Sequence, residues 1–549
     1  MVSGAWALLV ACNAAASIAL VAKLCASPLD YPLNPAQASV AIAYFVAILT
    51  WLEAELAQRI GIGPSFTRVQ SVEMSPSLAG DDEADDASTD DQLAPAQRVR
   101  PLSDATLGAL RAAAELSALM ILLYVCDRTT LVGRGPKHAS KREFWGVFLF
   151  LVVASCLGLR RTHEANGAEV KPLQREQTEE WKGWMQVMFL LYHYWMAAEM
   201  YTAIRIYIAA YIWMTGFGNF SYYYVKRDFG LPRFVQMMWR LNFLVVFVCL
   251  TLNNEYMLYY ICPLHTLFTI MVYGTLWLSH ERNQTEPAFL AAKLAAVFLL
   301  ALLIWDAPGT FDAITAPFTP LLRYSGDLYR GERPPLYEWH FRSSLDHLVW
   351  IFGMLVAYGF PRADKWLNRL DQDNGSRELL RWASIGAVTA VFACWFYWVG
   401  ALPKFEYNRL HPYTSFIPIG CYVFLRNCTR WLREHVLPAW GEVGKYTLET
   451  YICQFHMWMR TTGENGNPKF LLVLVPGSFW LNFALVSALY LFVSIRLFKL
   501  TVALKELCVP NSTRAIGVSF ARIGAGAALA FAAGYATHAA FALPPNAGA

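Results

Sequence analysis

Long apolar blocks follow one another along almost the whole chain, separated by short polar stretches. A helix of roughly 17–25 apolar residues crosses a bilayer core, and most of the blocks reach this length. They predict membrane-spanning helices at 4–24, 37–56, 106–126, 143–159, 181–199, 201–220, 235–253, 256–279, 287–305, 346–360, 381–400, 413–427, 445–460, 473–497 and 515–541. Allowing for two or three re-entrant or interfacial blocks, we expect an all-α, polytopic membrane helical bundle of about 11–15 transmembrane helices.

Composition supports a membrane protein. Of the 549 residues, 56% are hydrophobic and 16% are charged, whereas roughly a quarter of a soluble domain is charged. The mean hydropathy is +0.33. A net charge of +4 is small for this length, so we expect membrane lipid and no nucleic acid among the partners.

Cysteine spacing and the basic residues around the spans place few constraints on the fold. No two of the eleven cysteines form a CxxC pair, so we expect neither a disulfide framework nor a metal site. The first block lacks the basic flank of a cleaved signal peptide and is interpreted as a signal anchor or first span. Lysine and arginine occur on both sides of successive spans, which leaves the orientation of the termini open.

One polar segment divides the apolar blocks. Residues 61–105 are rich in proline, serine and acidic residues, which predicts a disordered acidic loop. The predicted domains are N-terminal spans at 1–60, this loop, two further spans at 106–170, a membrane core at 171–505, and a C-terminal span and tail at 506–549. No soluble stretch is longer than the loop, and GxSxG, P-loop and GxGxxG motifs are absent. Any catalysis must therefore come from the spans and short loops.

A histidine lies inside the block that opens at Trp181. His193 is twelve residues further on, about 18 Å of helix rise, which is near the middle of a core of roughly 30 Å. A neutral imidazole can exchange a proton near neutral pH. A general base and a simple interhelical hydrogen bond are both consistent with this position. Glu199 and Arg205 follow, and we expect them to pair across a helix break.

Two arginines share one face of a later helix. Arg233 and Arg240 are seven residues apart, and guanidinium groups suit phosphate or carboxylate. The alternatives are a basic flank for Arg233 and a buried ion pair for Arg240. Arg409, in RLHPYTSFIPI, is expected at a membrane edge with His411.

A third polar set lies in GKYTLETYICQFHMW. Glu449 and His456 are seven residues apart on one face, with Gln454 close by. They can orient a polar ligand or form interhelical hydrogen bonds. Arg342 and Asp346, spaced i and i+4, predict a structural ion pair. Together, these sets combine arginine, which binds anions, with histidine, which transfers protons.

Several long segments resemble one family. EQTEEWKGWMQVMFLLYHYWMAAEMYTAIRIYIAAYIWMTGFGNFSYYY, DFGLPRFVQMMWRLNFL and NNEYMLYYICPLHTLF resemble the membrane part of Cas1p-type acyltransferases. YEWHFRSSLDHLVWIFGM, RLHPYTSFIPI, GKYTLETYICQFHMWM and NGNPKFLL are similar to the same family. Within it, the chain is most similar to the plant reduced-wall-acetylation proteins. Relatives that acetylate sialic acid or fungal capsule glycans carry a luminal SGNH domain, which residues 60–105 cannot supply.

A more distant likeness concerns bacterial acyltransferase-3 membrane proteins. LLYHYW, PRFVQMMWR and KYTLETYICQFH are similar to three of their motifs, in the same order, which implies an acyltransferase-3-like core. This likeness implies that His193 is the catalytic histidine and that Arg233 and Arg240 bind the donor, while His456 matches a late-helix histidine. The predicted catalytic residues are His193, His456 and Glu449, and the predicted donor-binding residues are Arg233, Arg240 and Arg409.

The resemblance implies an O-acetyltransferase of the Golgi membrane. It would use cytosolic acetyl-CoA, with no metal, to acetylate cell-wall or other polysaccharides in the lumen. Two functions are consistent with this resemblance. In the first, the protein is an enzyme, and His193 acts as a general base or accepts the acetyl group itself. In the second, the protein is a carrier that brings acetyl-CoA or acetyl groups to a separate luminal acetyltransferase. A lipid-linked glycosyltransferase is a weaker third class, because its large acidic luminal loop has no convincing counterpart in 61–105.

Overall fold

The computed structural model describes residues 4–27, 32–60, 103–163, 171–326, 333–371 and 375–542. The predicted acidic loop at 61–105 lies outside these ranges except for its last three residues. The α-helices are α1 (Gly4–Cys25), α2 (Pro35–Ile60), α3 (Asp104–Arg128), α4 (Lys141–Cys156), α5 (Arg175–Tyr194), α6 (Tyr201–Lys226), α7 (Leu231–Leu252), α8 (Ile261–Trp277), α9 (Arg282–Thr285), α10 (Pro287–Asp306), α11 (Thr310–Thr315), α12 (Thr319–Leu322), α13 (Tyr337–Leu345), α14 (Val349–Leu370), α15 (Gly375–Trp395), α16 (Lys404–Thr414), α17 (Phe416–Asn427), α18 (Arg430–Glu434), α19 (Pro438–Lys445), α20 (Thr447–Cys453), α21 (Phe479–Cys508) and α22 (Thr513–Phe541).

The predicted all-α, polytopic fold is confirmed. Within the described ranges, nine helical segments are long and apolar enough to cross a membrane, and α8 is a shorter apolar helix. The nine are α1, α2, α3, α7, α10, the joined α13 and α14, α15 with its extension to Gly400, α21 and α22. Helices α5 and α6, of 20 and 26 residues, are not among the nine. The chain is a multi-pass membrane protein.

Short strands accompany the helices. The strands among the described residues are β1 (Gly133–Pro136), β2 (Arg160–Arg161), β3 (His435–Val436), β4 (Met459–Thr461) and β5 (Pro468–Val473). Strand β5 pairs antiparallel with β1 on one side and β4 on the other, whereas β2 pairs with β3. The β1–β5 and β2–β3 pairs join residues far apart in the sequence, a relationship that hydropathy does not reveal.

The predicted span at 445–460 is not a single helix. The block 445–460 divides into α20, a π-helical turn at Gln454–Trp458, and strand β4. Strand β4 pairs with β5, so its backbone groups are satisfied without a continuing helix. The prediction of an unbroken span at 445–460 is therefore wrong.

The described residues form two compact units. The first lies within Met1–Leu119 and Ala521–Ala549, and the second is Met120–Phe520. In the first unit, Val21 of α1 packs with Ala38 and Ile42 of α2. The amide of Asn13 also donates to Thr50 Oγ1, at 3.2 Å. The residues predicted to be functional all belong to the second unit.

Glycines bring two pairs of helices close together in the second unit. A Cβ at Gly183 of α5 would overlap the carbonyl oxygen of Trp440 of α19, and one at Gly353 of α14 would overlap that of Trp213 of α6. Small residues allow membrane helices to approach closely, which increases dispersion contacts where lipid supplies no hydrophobic driving force. These contacts fix α5 and α6, which carry the candidate site.

Helices α5 and α6 run antiparallel. The Tyr211 hydroxyl donates to the Lys182 carbonyl oxygen at 2.5 Å. The rings of Trp184 and Tyr207 meet edge to face, with 5.2 Å between centroids. Residue numbers thus rise along α5 as they fall along α6. The two helices therefore contact each other along their length.

Candidate active site

Helix α5 lines two neighbouring cavities with one face. Lys182, Gln186, Phe189 and His193 are spaced by four, three and four residues, so a helix places them in one stripe. Lys182 and Gln186 line a cavity of 260 Å³, the Arg240 cavity. His193 lines a second cavity of 310 Å³, the His193 cavity. Lys182 and His193 are separated by about 16 Å of helix rise.

Helix α6 lines the same two cavities from the other side. Ile204 lines the His193 cavity, and Tyr211 and Thr215 line the Arg240 cavity. Two side chains belong to both linings, Phe189 of α5 and Ile208 of α6. These two apolar residues therefore form the partition between the cavities.

His193 occupies the last turn of α5. Its half-buried imidazole meets the rings of Phe189 and Tyr192 edge to face, at centroid distances of 4.6 and 5.1 Å. No described residue forms a hydrogen bond with it, so both ring nitrogens are available to a ligand. The prediction of one unbroken helix over 181–199 is wrong, because α5 ends at Tyr194. The apolar block 181–199 contains a helix end, and the chain turns through Met196, whose φ is 49°.

The polar residues after this turn do not pair as expected. Arg205 is buried in α6, lines the His193 cavity, and donates to Asp346 at 2.9 Å. Glu199 instead faces Lys141 of α4, at 3.9 Å. The expected Glu199–Arg205 pair is wrong, because the carboxylate that reaches Arg205 comes from a distant part of the sequence.

Arg342 also lines the His193 cavity. Its Nε donates to Glu338 at 2.7 Å, and its guanidinium lies 4.3 Å from the centre of the Tyr260 ring. The predicted Arg342–Asp346 ion pair is wrong. Helix α13 ends at Leu345, so Asp346 lies beyond the last helical residue, where the i, i+4 geometry no longer holds. The sequence prediction did not include Arg342 in the site, although its i, i+4 spacing from Glu338 was visible.

Two predicted site residues meet beside the Arg240 cavity. Arg240 lines it, and its guanidinium donates to both carboxylate oxygens of Glu449, at 2.5 and 3.0 Å. The Glu449 side chain is fully buried, whereas that of Arg240 is 31% exposed. A guanidinium has five N–H donors. Glu449 therefore orients Arg240 and leaves donors for a ligand.

The other predicted arginines lie outside both cavities. Arg233 is on α7 with Arg240, but its guanidinium lies 4.2 Å from the centre of the Tyr222 ring and lines neither cavity. Arg409 is exposed on α16 and also lines neither cavity. Their roles in donor binding remain predictions.

His456 belongs to a buried polar network. Its Nδ1 lies 2.9 Å from Asp127 Oδ2, and its Nε2 lies 2.5 Å from the Tyr259 hydroxyl. Asp127 also accepts hydrogen bonds from Arg128 and from the Thr461 backbone. Both nitrogens of His456 are occupied and its side chain has no exposed surface, so this geometry favours a positioning role over direct catalysis.

A half-buried lysine adds positive charge near the small sheet. Lys137 follows β1 and donates to the Pro468 carbonyl oxygen at 3.2 Å, and Pro468 lines the His193 cavity. Burial lowers the pKa of Lys137 to about 8. Within the described ranges, no three His, Cys, Asp or Glu side chains are grouped to hold a metal ion.

The amino-acid sequence matches known proteins over most of its length. The model of the ten-span acyltransferase domain found in Cas1p matches residues 38–520. The N-acetylneuraminate (7)9-O-acetyltransferase of Danio rerio is 31% identical over 422 residues, which cover 74% of this chain and 51% of that protein. The chain thus spans about half the length of this curated relative. No solved structure matches it.

Proposed function

The chain belongs to the family of Cas1p-type membrane acyltransferases, and on that basis we propose that it transfers acetyl groups from acetyl-CoA to glycan hydroxyls. The observation that carries the proposal is the position of His193. Its imidazole has no hydrogen-bond partner among the described residues, and its cavity shares the lining residues Phe189 and Ile208 with a cavity that holds cationic side chains.

In the proposal, the Arg240 cavity receives the donor. Lys182 and Arg240 line it, and guanidinium and ammonium groups bind phosphate. Arg233, two helical turns from Arg240 on the same helix, would extend the cationic surface toward the phosphates. The acetyl end of the donor would then lie along the α5 stripe toward His193, past the partition formed by Phe189 and Ile208.

In the His193 cavity, the acceptor hydroxyl would be deprotonated by the imidazole. Its oxygen would attack the thioester carbonyl carbon, the carbon–sulfur bond would break, and the imidazolium would return its proton to the departing thiolate. The products are an O-acetyl ester and free CoA. General-base assistance of this kind is worth about 10²–10⁴-fold in rate.

The proposed acceptor is a cell-wall or other polysaccharide in the Golgi lumen. The name of the Danio rerio relative describes acetyl transfer to a sugar hydroxyl, which supports a glycan as the acceptor class. Tyrosine, arginine and lysine side chains line the His193 cavity. Such hydrogen-bond donors suit an acceptor that is rich in hydroxyl groups.

A carrier is the second candidate function. The two cavities follow one another along α5 and share a partition of two side chains. This is also the arrangement expected of a path that delivers acetyl groups to a separate luminal acetyltransferase. The two functions differ in where the ester bond is made.

Proteoliposomes separate the two functions. The purified full chain is reconstituted around a trapped oligosaccharide, and acetyl-labelled acetyl-CoA is added outside. Ester-linked label on the trapped glycan, with no other protein present, supports the enzyme. Label that enters and never becomes esterified supports the carrier. The absence of both, compared with protein-free liposomes, contradicts both functions.

A further inference from the structure

The guanidinium of Arg342 is fixed from two directions within the His193 cavity. Glu338 accepts a hydrogen bond from its Nε at 2.7 Å, and the Tyr260 ring lies below it at 4.3 Å. Its two outer nitrogens, Nη1 and Nη2, donate to no other described residue. Because 27% of the side chain is exposed, an oriented and open guanidinium fork faces the cavity.

A second cation lines the same cavity. Lys404 lies at the start of α16, and its Nζ is 4.9 Å from the centre of the Tyr201 ring, which is also part of the lining. Lys404 forms no ion pair with a described carboxylate. The other charges in the lining are engaged, Arg205 with Asp346 and Glu338 with Arg342. The lining therefore has a net positive charge.

A second arginine, Arg282, provides a comparison in which the carboxylate partner occupies the outer guanidinium nitrogen as well as Nε. Arg282 and Glu286 have the same i, i+4 spacing, and Arg282 lies 4.0 Å from the centre of the Phe289 ring. There the carboxylate accepts from both Nε and Nη2, at 2.8 and 2.6 Å. Glu338 accepts only from Nε of Arg342. The spacing is the same in reverse order, but of the two arginines Arg342 alone has its outer nitrogens open to a cavity.

We propose that Arg342 selects an acceptor bearing a carboxylate, that is, an acidic sugar, for the His193 cavity. A planar guanidinium fork binds a planar carboxylate through two parallel hydrogen bonds. Lys404 adds a second positive charge that favours the same anion. Arg342 is thereby a specificity residue, and the inference rests on the proposed function, since it takes this cavity as the acceptor site.

Binding of two matched sugars tests the inference without turnover. The thermal unfolding midpoint of the purified full chain is measured against methyl glucuronide and against methyl glucoside, which lacks the carboxylate. The wild-type protein should be stabilised saturably by the glucuronide alone. Arg342→Gln should weaken that binding by at least about tenfold, and Arg282→Gln should match the wild type.

Each other outcome has a definite meaning. Equal stabilisation by both sugars, or unchanged glucuronide binding by Arg342→Gln, overturns the inference. Weaker binding of CoA with unchanged binding of glucuronide would assign Arg342 to the donor and overturn it as well. If Arg342→Gln does not fold, Arg342→Lys keeps the charge and should still lose affinity, because it has no planar fork.

The same preparations separate this inference from the proposed function. Carboxylate-dependent binding without any acetyl transfer would contradict the enzyme and leave the binding site established. Acetyl transfer to acidic and neutral oligosaccharides with equal KM would support the enzyme and contradict the role of Arg342.

Discussion

Arg240 of α7 and Glu449 of α20 are joined by two hydrogen bonds, of 2.5 and 3.0 Å. They come from separate motifs, one predicted to bind the donor and the other to act in catalysis. The carboxylate is fully buried and the guanidinium is partly open to the cavity. Glu449 therefore acts on Arg240, and its contact with a substrate is indirect at most.

A double-mutant cycle tests this pairing. Arg240→Gln leaves the buried Glu449 carboxylate without its partner and should destabilise the protein by about 3 kcal/mol. The double variant with Glu449→Gln should recover most of that loss, because no buried charge remains. Thermal unfolding of the four proteins in detergent measures the coupling. Simple additivity of the two single changes would show that the pair is not coupled.

A bulkier side chain at the boundary between the two cavities should obstruct passage from one to the other. Ile208→Trp places a larger side chain against Phe189 and should lower acetyl transfer by about 10²-fold, through misplacement of the reacting groups. The affinity for CoA, measured by calorimetry, should fall much less than the transfer rate, because the cationic side chains proposed to bind its phosphates are unchanged. Val225→Trp, at an exposed position on the same helix, is the control. Unchanged transfer by Ile208→Trp would show that acetyl groups take another path.

The local sequence predicts the membrane helices better than it predicts which charged side chains pair with each other. Blocks of apolar residues identify membrane helices because the lipid core forces backbone groups to be satisfied within each segment. The partners of buried charges follow from tertiary contacts instead. Asp346 is four residues from Arg342 yet pairs with Arg205, 141 positions away.

The candidate site was predicted in part. His193 and Arg240 were selected by motif, and they do line adjoining cavities. The sequence does not identify Asp127 as a partner of His456, because the two are 329 residues apart. An acidic residue at the end of a span is also too common to indicate a functional role. The helix end at Tyr194 was also missed, since apolar residues continue across the turn.

The network around His456 predicts a structural effect. His456→Ala removes one hydrogen-bond partner each from Asp127, which keeps Arg128 and Thr461, and from Tyr259, which keeps Asn254. The loss should cost about 1–3 kcal/mol. The folded fraction should keep its pH–rate profile, because His456 lines neither cavity. Thermal unfolding and kcat as a function of pH provide the two readouts. A variant of wild-type stability with an altered pH profile would instead make His456 catalytic.

The close packing of α6 and α14 in the second unit predicts that one added methyl group lowers the stability of the protein. Gly353→Ala brings a Cβ against the carbonyl oxygen of Trp213 and should destabilise the protein by about 1–3 kcal/mol through overpacking. Gly359→Ala, on the same helix with open space around the added carbon, should be tolerated. Equal thermal unfolding midpoints for the two variants would contradict the close approach of α6 and α14.

The role of His193 is tested most directly by replacing it. Purified His193→Ala and wild-type protein are compared for acetyl transfer to a glycan and for CoA binding by calorimetry, with His280→Ala, at a histidine outside both cavities, as the control. We expect transfer by His193→Ala to fall by about 10²–10⁴-fold, while CoA binding and the control variant match the wild type. Full transfer activity in His193→Ala would contradict the account.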